Sequence, residues 1–83
     1  MNLDELRSHF NKRVKLEFKD GEVVEALLLG ADLQRDRDLT YEVLKVVRPG
    51  RPKAKGTAEG ATCIAKVADL ASWEPLEGDG RSN

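Results

Sequence analysis

The chain has 83 residues, and charged residues make up 35% of it, with 14 Lys and Arg against 15 Asp and Glu. This length fits one small domain, and a net charge near −1 argues against a general nucleic-acid binder, whose field is usually basic. Cys63 is the only cysteine, which excludes an intrachain disulfide and favours a reducing, cytoplasmic location. The opening MNLDELRSHF lacks the apolar core of a signal peptide, and nothing approaches the ~20 apolar residues of a membrane span.

Residues 2–10 are predicted to form a short helix. Asn2 is a favourable N-cap, and a glutamate three residues later completes a capping box. Leu3, Leu6 and Phe10 recur at helical spacing, which places them on one face. A helix this short is marginal alone, so we expect this face to pack on the rest of the domain.

Five short strands are predicted after the helix, at about 13–19, 22–31, 39–47, 61–67 and 71–76. A charged loop separates the second and third strands, and one tight helical turn precedes the last. Pro75 restricts that last strand to an edge or an end, and residues 77–83 are expected to form a disordered tail. The pattern predicts a single, mainly β domain over 1–76 with a strongly bent antiparallel sheet or a small closed barrel.

The first hairpin can be closed by a turn of two residues or of three. A two-residue turn at Asp20-Gly21 places Leu16 opposite Glu25, which brings a carboxylate to the core face. A three-residue loop with Gly21 in the left-handed region places Leu16 opposite Val24 instead. Burying an unpaired carboxylate is costly, so the three-residue loop with a glycine bulge is the preferred prediction.

This register leaves a second apolar face on the strands. The side chains assigned to it are Val23, Leu27, Leu29, Leu44 and Val46. Contiguous apolar surface of this kind is uncommon on monomers, and the short helix can cover only part of it. We therefore expect a homo-oligomer with this face at or near the interface, assembled through strand edges.

The first hairpin also carries a family resemblance. The residues that fall on the spacing of the first Sm motif are Val14, Leu16, Phe18, Asp20, Gly21, Leu28 and Asp32, and Ala26 stands where the family has a glycine. Together with the order of the elements, this spacing resembles the Sm and Sm-like (LSm, Hfq-type) proteins. The resemblance implies an SH3-like barrel behind an N-terminal helix, assembly into rings and RNA as a partner.

Two departures from the family pattern fall on its RNA site. Asp36 lies where the family has an asparagine, and Glu59-Gly60 replaces an arginine-glycine pair. The resemblance implies RNA contacts at Asp32, Asp36 and Gly60. Glu59, however, repels phosphate and cannot supply the stacking cation expected of a single-strand reader, so RNA is a doubtful partner.

The segment RPGRPKAK is locally basic and is predicted to be a loop. Arg51, Lys53 and Lys55, with Arg48 before them, could make a weak, salt-sensitive contact with phosphates. The competing interpretation is a flexible, soluble connection between two strands, and the composition of the loop does not separate the two.

Catalytic and metal-binding groups are sparse. His9 is the only histidine, and nothing beside it in sequence could serve as a held partner for acid–base chemistry. Cys63 lies in an apolar strand with no neighbouring cation, which is typical of a small core residue. One cysteine and one histidine cannot form a zinc site. We therefore predict no enzyme activity, cofactor, metal or small-molecule substrate.

Two hypotheses for function follow. The first is a non-catalytic Sm-like small barrel that self-associates and binds RNA weakly. The second is a protein-interaction or assembly module that has the barrel and no nucleic-acid site. The residue that discriminates between them is Glu59, which stands in place of the expected arginine.

Overall fold

The computed structural model of the chain describes residues 3–50 and 58–76. Its elements in chain order are α1 (Leu3–Arg7), β1 (Arg13–Phe18), β2 (Val23–Asp32), β3 (Asp38–Arg48), β4 (Thr62–Lys66), a 3-10 turn (Val67–Asp69) and β5 (Leu70–Pro75). The predicted N-cap Asn2, the predicted tail 77–83 and the basic residues Arg51, Lys53 and Lys55 lie outside the described residues.

The strands form one antiparallel sheet in the order β4-β3-β2-β1-β5. The mainly β class, the five strands and the tight turn before β5 are confirmed. Pro75 ends β5 at an edge of the sheet, as predicted. Within the described residues β4 and β5 do not pair with each other, so the sheet is open and its closure into a barrel stays a prediction.

The first hairpin has the three-residue loop. Leu16 lies opposite Val24, and the Phe18 N–H donates to the Glu22 carbonyl at 2.8 Å across the loop. Gly21 has φ +95°, a conformation that side chains with a Cβ rarely adopt. The register therefore depends on a glycine at position 21, and the carboxylate of Glu25 stays off the core face.

A single apolar cluster fills the concave side of the sheet. Its members come from α1, four of the strands and the 3-10 turn: Leu6, Val14, Leu16, Phe18, Val24, Ala26, Leu28, Leu39, Tyr41, Val43, Val67 and Leu70. One sheet can bury side chains from β1, β2, β3 and β5 in one cluster only if it curls around them. The short helix closes part of the open side with Leu6, which is fully buried.

The pairing of β2 with β3 is interrupted by three irregularities, one of which lies between Glu25 and Ala26 on β2. There Ala26 pairs with Val43 and Glu25 with Lys45, which makes Leu44 the extra residue of a bulge. Beyond the bulge the side-chain alternation of β3 is reset. Val46, assigned to the outer face from its parity in the sequence, packs against the core instead.

The helix is shorter than predicted, which corrects the assignment of Phe10. Regular helix ends at Arg7, and single turns follow, with His9 N–H donating to the Leu6 carbonyl at 3.0 Å. Asn11 then adopts φ +64° and redirects the chain into β1. Phe10 consequently lies outside the helical face and is 39% exposed, whereas Phe18 is buried as predicted.

Candidate binding surfaces

The loop between β2 and β3 is organised around Asp32. Its Oδ1 atom accepts the backbone N–H groups of Arg35 at 2.9 Å and Gln34 at 3.2 Å. The hydrogen bond from Arg35 is the main cause that lowers the pKa of the Asp32 carboxyl below its usual value; burial opposes it, and the backbone N–H groups of Gln34 and Asp36 lower the pKa further. Asp32, predicted to contact RNA, thus caps its own loop, the common local role of aspartate in turns.

The far end of the same loop is tied to β4 and the 3-10 turn. Lys66 Nζ lies 3.3 Å from the Asp36 carbonyl oxygen, and the Val67 N–H donates to the Arg37 carbonyl at 2.9 Å. Arg37 has φ +54°, and its guanidinium donates to the Leu33 carbonyl at 3.0 Å. Asp36, the second predicted RNA contact, is exposed at the tip of this tied loop.

The Glu59-Gly60 pair lies in a tight turn beside the middle of β3. The Gly60 N–H donates to the Val43 carbonyl at 2.7 Å, and Gly60 has φ +88°. Glu59 is exposed. The structure accordingly presents a carboxylate at this turn, where the Sm resemblance implies an arginine.

The convex face of the sheet carries a row of alternating charges across four strands. Lys15 on β1 lies opposite Glu74 on one side and Glu25 on the other, and Glu25 in turn lies opposite Lys45 on β3. Lys15 Nζ is 3.5 Å from Glu74 Oε2. Exposed pairs of this kind contribute little to stability, but they place a row of charges across the outer face that the sequence predicts to be apolar.

Val23 is covered within the chain. Its cross-strand neighbours are Glu17 on β1 and Arg48 on β3, and Arg48 Nη2 lies 3.6 Å from Glu17 Oε2. Since strands β1 and β3 are two strand spacings apart, the arginine must reach across β2, over Val23, to make this contact. Val23 is only 6% exposed, so an oligomer interface is not needed to bury it.

The other residues of the predicted interface differ in how exposed their side chains are. Leu29 and Leu44 are exposed, at 40% and 37%, and Leu27 is half-buried. Among the described residues the most exposed large apolar side chain is Ile64 on β4, at 70%, a residue that sequence analysis did not single out. Exposed large apolar side chains in the described residues therefore occur on β2, β3 and β4, and at Phe10 after α1.

The two outer strands leave hydrogen-bonding edges available. β4 pairs only with β3 and β5 only with β1 among the described residues. An edge strand presents a row of N–H and C=O groups that can pair with another chain. Ile64 lies in the middle of the β4 edge, flanked by Cys63 and Ala65, which pack against the core.

His9 and Cys63, the two residues considered for catalysis, pack against other parts of the domain. The His9 ring meets the Trp73 ring edge-on with centroids 5.2 Å apart, and His9 Nδ1 lies 3.0 Å from the Glu5 carbonyl oxygen. Trp73 packs against the core, as does Cys63. Within residues 3–50 and 58–76, no group of three or more His, Cys, Asp or Glu side chains is arranged to hold a metal ion.

A buried carboxylate lies at the hairpin end of the core, and sequence analysis missed it. Glu22 is 1% exposed and shares the core-facing parity of Val24. The three-residue loop itself implies this position, because it places Glu22 opposite Phe18. At the same end a Cβ on the buried Gly50 would come within 2.6 Å of Asp20 Oδ2, so Gly50 allows β3 and the hairpin loop to approach closely.

Tyr41 should make the domain less stable at alkaline pH. Burial raises the pKa of Tyr41, and the charges of Cys63, Glu22 and Asp20 add to the rise. An unfolded tyrosine ionises near pH 10, whereas the folded one keeps its proton, so the free energy of unfolding should fall as pH rises above about 10.

Tyr41 is the only tyrosine, so phenolate absorbance reports on this one residue. We expect the phenolate to appear together with loss of the far-ultraviolet circular dichroism of the sheet. Tyr41→Phe should reduce the alkaline loss of stability. Ionisation near pH 10 with the sheet intact would contradict this expectation.

Comparison with known proteins identifies no relative of this chain: a scan against protein-family models finds no match, and a search of curated proteins finds no significant match. In the described part of the chain, no helix is both long enough and apolar enough to cross a membrane.

Proposed function

We propose that this chain is a non-catalytic, Sm-like small-barrel module that self-associates through the edges of its sheet. The observation that supports the proposal best is Ile64, 70% exposed on a strand with an available pairing edge. An exposed apolar side chain on an unprotected edge strand favours association in natural proteins. Pairing between edges of two copies would bury Ile64 and satisfy backbone groups of both strands.

The Sm-like part of the proposal is supported by the first motif and by the order of the strands. Gly21, which falls on the motif spacing, has the left-handed conformation predicted for the three-residue loop. Asp32 ends β2 and caps the next loop. Closure into a barrel, in this proposal, is completed by contacts between β4 and β5 of neighbouring copies.

Base-specific RNA binding is the weaker half of the first hypothesis, and the second hypothesis omits it. Asp32 is engaged with its own loop, and the exposed Glu59 adds negative charge where a stacking cation would be needed. We therefore favour an assembly module without base readout. Filter binding of a short single-stranded RNA at low salt tests this: tight, salt-insensitive binding would favour the RNA-reading alternative.

Self-association is tested by light scattering coupled to size-exclusion chromatography. We expect the mass of the particle at micromolar concentration to be a multiple of the 9.2 kDa chain mass. Dilution should shift the elution toward smaller species if the edges provide the contacts, because association by strand pairing is concentration-dependent. A stable 9.2 kDa particle at micromolar concentration would refute the proposal.

A further inference from the structure

Three large apolar side chains are turned outward where the pairing of β2 with β3 is irregular. The residues without a cross-strand partner at the three irregularities are Leu29 on β2 and Leu44 and Val47 on β3. They are 40%, 37% and 48% exposed, and none of them belongs to the core cluster. Bulges re-aim side chains and are frequent beside functional sites. Because a polar residue at these positions would cost the core nothing, apolar residues at all three indicate contact with another molecule.

Two of these residues belong to an apolar patch that surrounds Glu42 on the convex face. Tyr41 and Val43 point into the core, so Glu42 between them points outward. Glu42 is paired with Leu27 on β2 and with Thr62 on β4. The patch extends over three neighbouring strands and about four residues along β3, or roughly 10 by 13 Å. This outer apolar patch consists of Leu27, Leu29, Leu44 and Ile64.

The carboxylate of Glu42 gives the patch one negative charge. Within residues 3–50 and 58–76 it makes no ion pair or side-chain hydrogen bond. Glu42 is half-buried, and apolar side chains that exclude water strengthen the attraction between a carboxylate and a cation. The patch is therefore complementary to an apolar surface that carries one positive charge.

An α-helix fits this patch better than an extended peptide does. β2 and β3 are interior strands, whose backbone groups are used within the sheet, so an extended peptide could form no backbone hydrogen bonds with them. A helix satisfies its own backbone, and packing a helix on a sheet is a common way to bury an apolar face. A helix is about 10 Å across and rises about 5.4 Å per turn, so two to three turns cover the patch.

A lipid layer does not fit the same patch. Insertion of the patch among acyl chains would bury the Glu42 carboxylate without a partner, which is costly. A protein helix can supply a lysine or arginine at that point and apolar side chains around it. The charge at the centre of the patch thus distinguishes a protein partner from a membrane.

We propose that the outer apolar patch binds an amphipathic helix of another protein, and that a lysine or arginine on the apolar side of this helix pairs with Glu42. The proposal goes beyond self-association and does not depend on it. Three of the four patch residues lie on interior strands, so pairing of sheet edges leaves them exposed. Only Ile64 belongs to both surfaces, and the variants that test the patch therefore leave Ile64 unchanged.

Peptide selection with the full chain identifies the class of partner. A phage-displayed library of random peptides of about 16 residues, or four to five helical turns, is panned against the immobilised protein. We expect the enriched peptides to have apolar residues at i, i+3, i+4 and i+7, the spacing of an amphipathic helix, with a lysine or arginine among them. Titration of a synthetic enriched peptide into ¹⁵N-labelled protein should shift the amide signals of Glu42 and Leu44.

Polar substitutions at matched positions separate the patch from general apolar binding. Leu29→Ser and Leu44→Ser should each weaken binding of the enriched peptide roughly 10-fold, because each removes one buried apolar contact. Phe10→Ser is the matched control, since Phe10 is 39% exposed but lies after α1, outside the sheet. It should change the affinity less than about 2-fold. Light scattering should give each variant the same particle mass as the wild type.

A charge exchange tests the role of Glu42. Glu42→Lys should weaken binding of the enriched peptide roughly 10-fold through like-charge repulsion. A second peptide, in which glutamate replaces the basic residue, should bind Glu42→Lys about as tightly as the first peptide binds the wild type. This restoration measures the coupling between the two charges, and a purely structural role of Glu42 would not produce it.

Four results would overturn the proposal. One is a selection that enriches no peptide, and another is enrichment of peptides with strictly alternating apolar residues, which would indicate strand pairing at an edge. The third is an equal loss of affinity in Phe10→Ser, which would indicate unspecific apolar contact. The fourth is a failure of the charge exchange to restore binding. None of these results depends on whether the chain self-associates, which Ile64→Lys and the particle mass test separately.

Discussion

Ile64→Lys is expected to reduce the particle in solution to the mass of one chain. Full burial of an isoleucine side chain contributes about 1.5–3 kcal/mol, which corresponds to roughly 10- to 100-fold in an association constant. A lysine on an edge strand adds the cost of desolvating its charge and is a device by which natural sheets avoid edge pairing. Light scattering over a dilution series measures the change.

Leu29→Lys is the matched control for Ile64→Lys. Leu29 is an exposed apolar residue on β2, an interior strand, and belongs to the surface that the sequence assigned to the interface. If copies meet through sheet edges, Leu29→Lys keeps the mass of the wild-type particle. The opposite pattern, in which Leu29→Lys dissociates the particle and Ile64→Lys does not, would place the interface on the convex face and reject edge pairing.

The parts of the fold that follow from local rules were predictable from the sequence. The alternation of Leu16 and Phe18 and the need for a glycine at position 21 favour the three-residue loop. The cost of burying a carboxylate does not separate the two registers, because the two-residue turn would bury Glu25 and the three-residue loop buries Glu22. The position of Glu22 follows from the same reasoning, because a register assigns every residue of both strands. The pairs predicted for the three-residue loop begin at Leu16 and run away from the turn, so they leave Phe18 without a predicted partner.

Other features depend on irregular backbone that a residue pattern does not reveal. The bulge at Leu44 resets the faces of β3, so Val46 moves from the outer face to the core. The left-handed Asn11 ends the helical path early and leaves Phe10 outside it. Parity and helical spacing assume uninterrupted elements, and each prediction that failed here lies next to an interruption.

The candidate sites also depend on contacts between residues far apart in sequence, which a local residue pattern does not reveal. The role of Asp32 as a loop cap is local and typical of its residue type. Arg7 at the end of α1 and Arg35 in the β2–β3 loop are far apart in sequence, and only the fold brings them to one surface cleft. The cover of Val23 by Arg48 and Glu17 likewise requires three strands in register, so the apparent apolar face could not be resolved from β2 alone.

Leu28→Ala is expected to cost about 2–5 kcal/mol in the free energy of unfolding, the range for deleting a fully buried leucine side chain. Leu28 is 0% exposed, and its loss leaves a cavity in the core cluster. A chain of this length is stabilised by about 4–12 kcal/mol in total, so the variant should be partly or largely unfolded at modest urea concentrations. Trp73, the only tryptophan, provides the fluorescence signal.

Leu29→Ala makes the same chemical change one residue later and should cost less than about 1 kcal/mol, because Leu29 is 40% exposed on the opposite face. The comparison tests the register of the whole sheet. In the two-residue-turn register the core face of β2 would carry Leu27 and Leu29, and the order of the two costs would be reversed, since a one-residue slip exchanges the faces of a strand. Equal costs would mean that β2 is buried on both faces in solution, which would place an interface on the convex side and contradict association through the sheet edges.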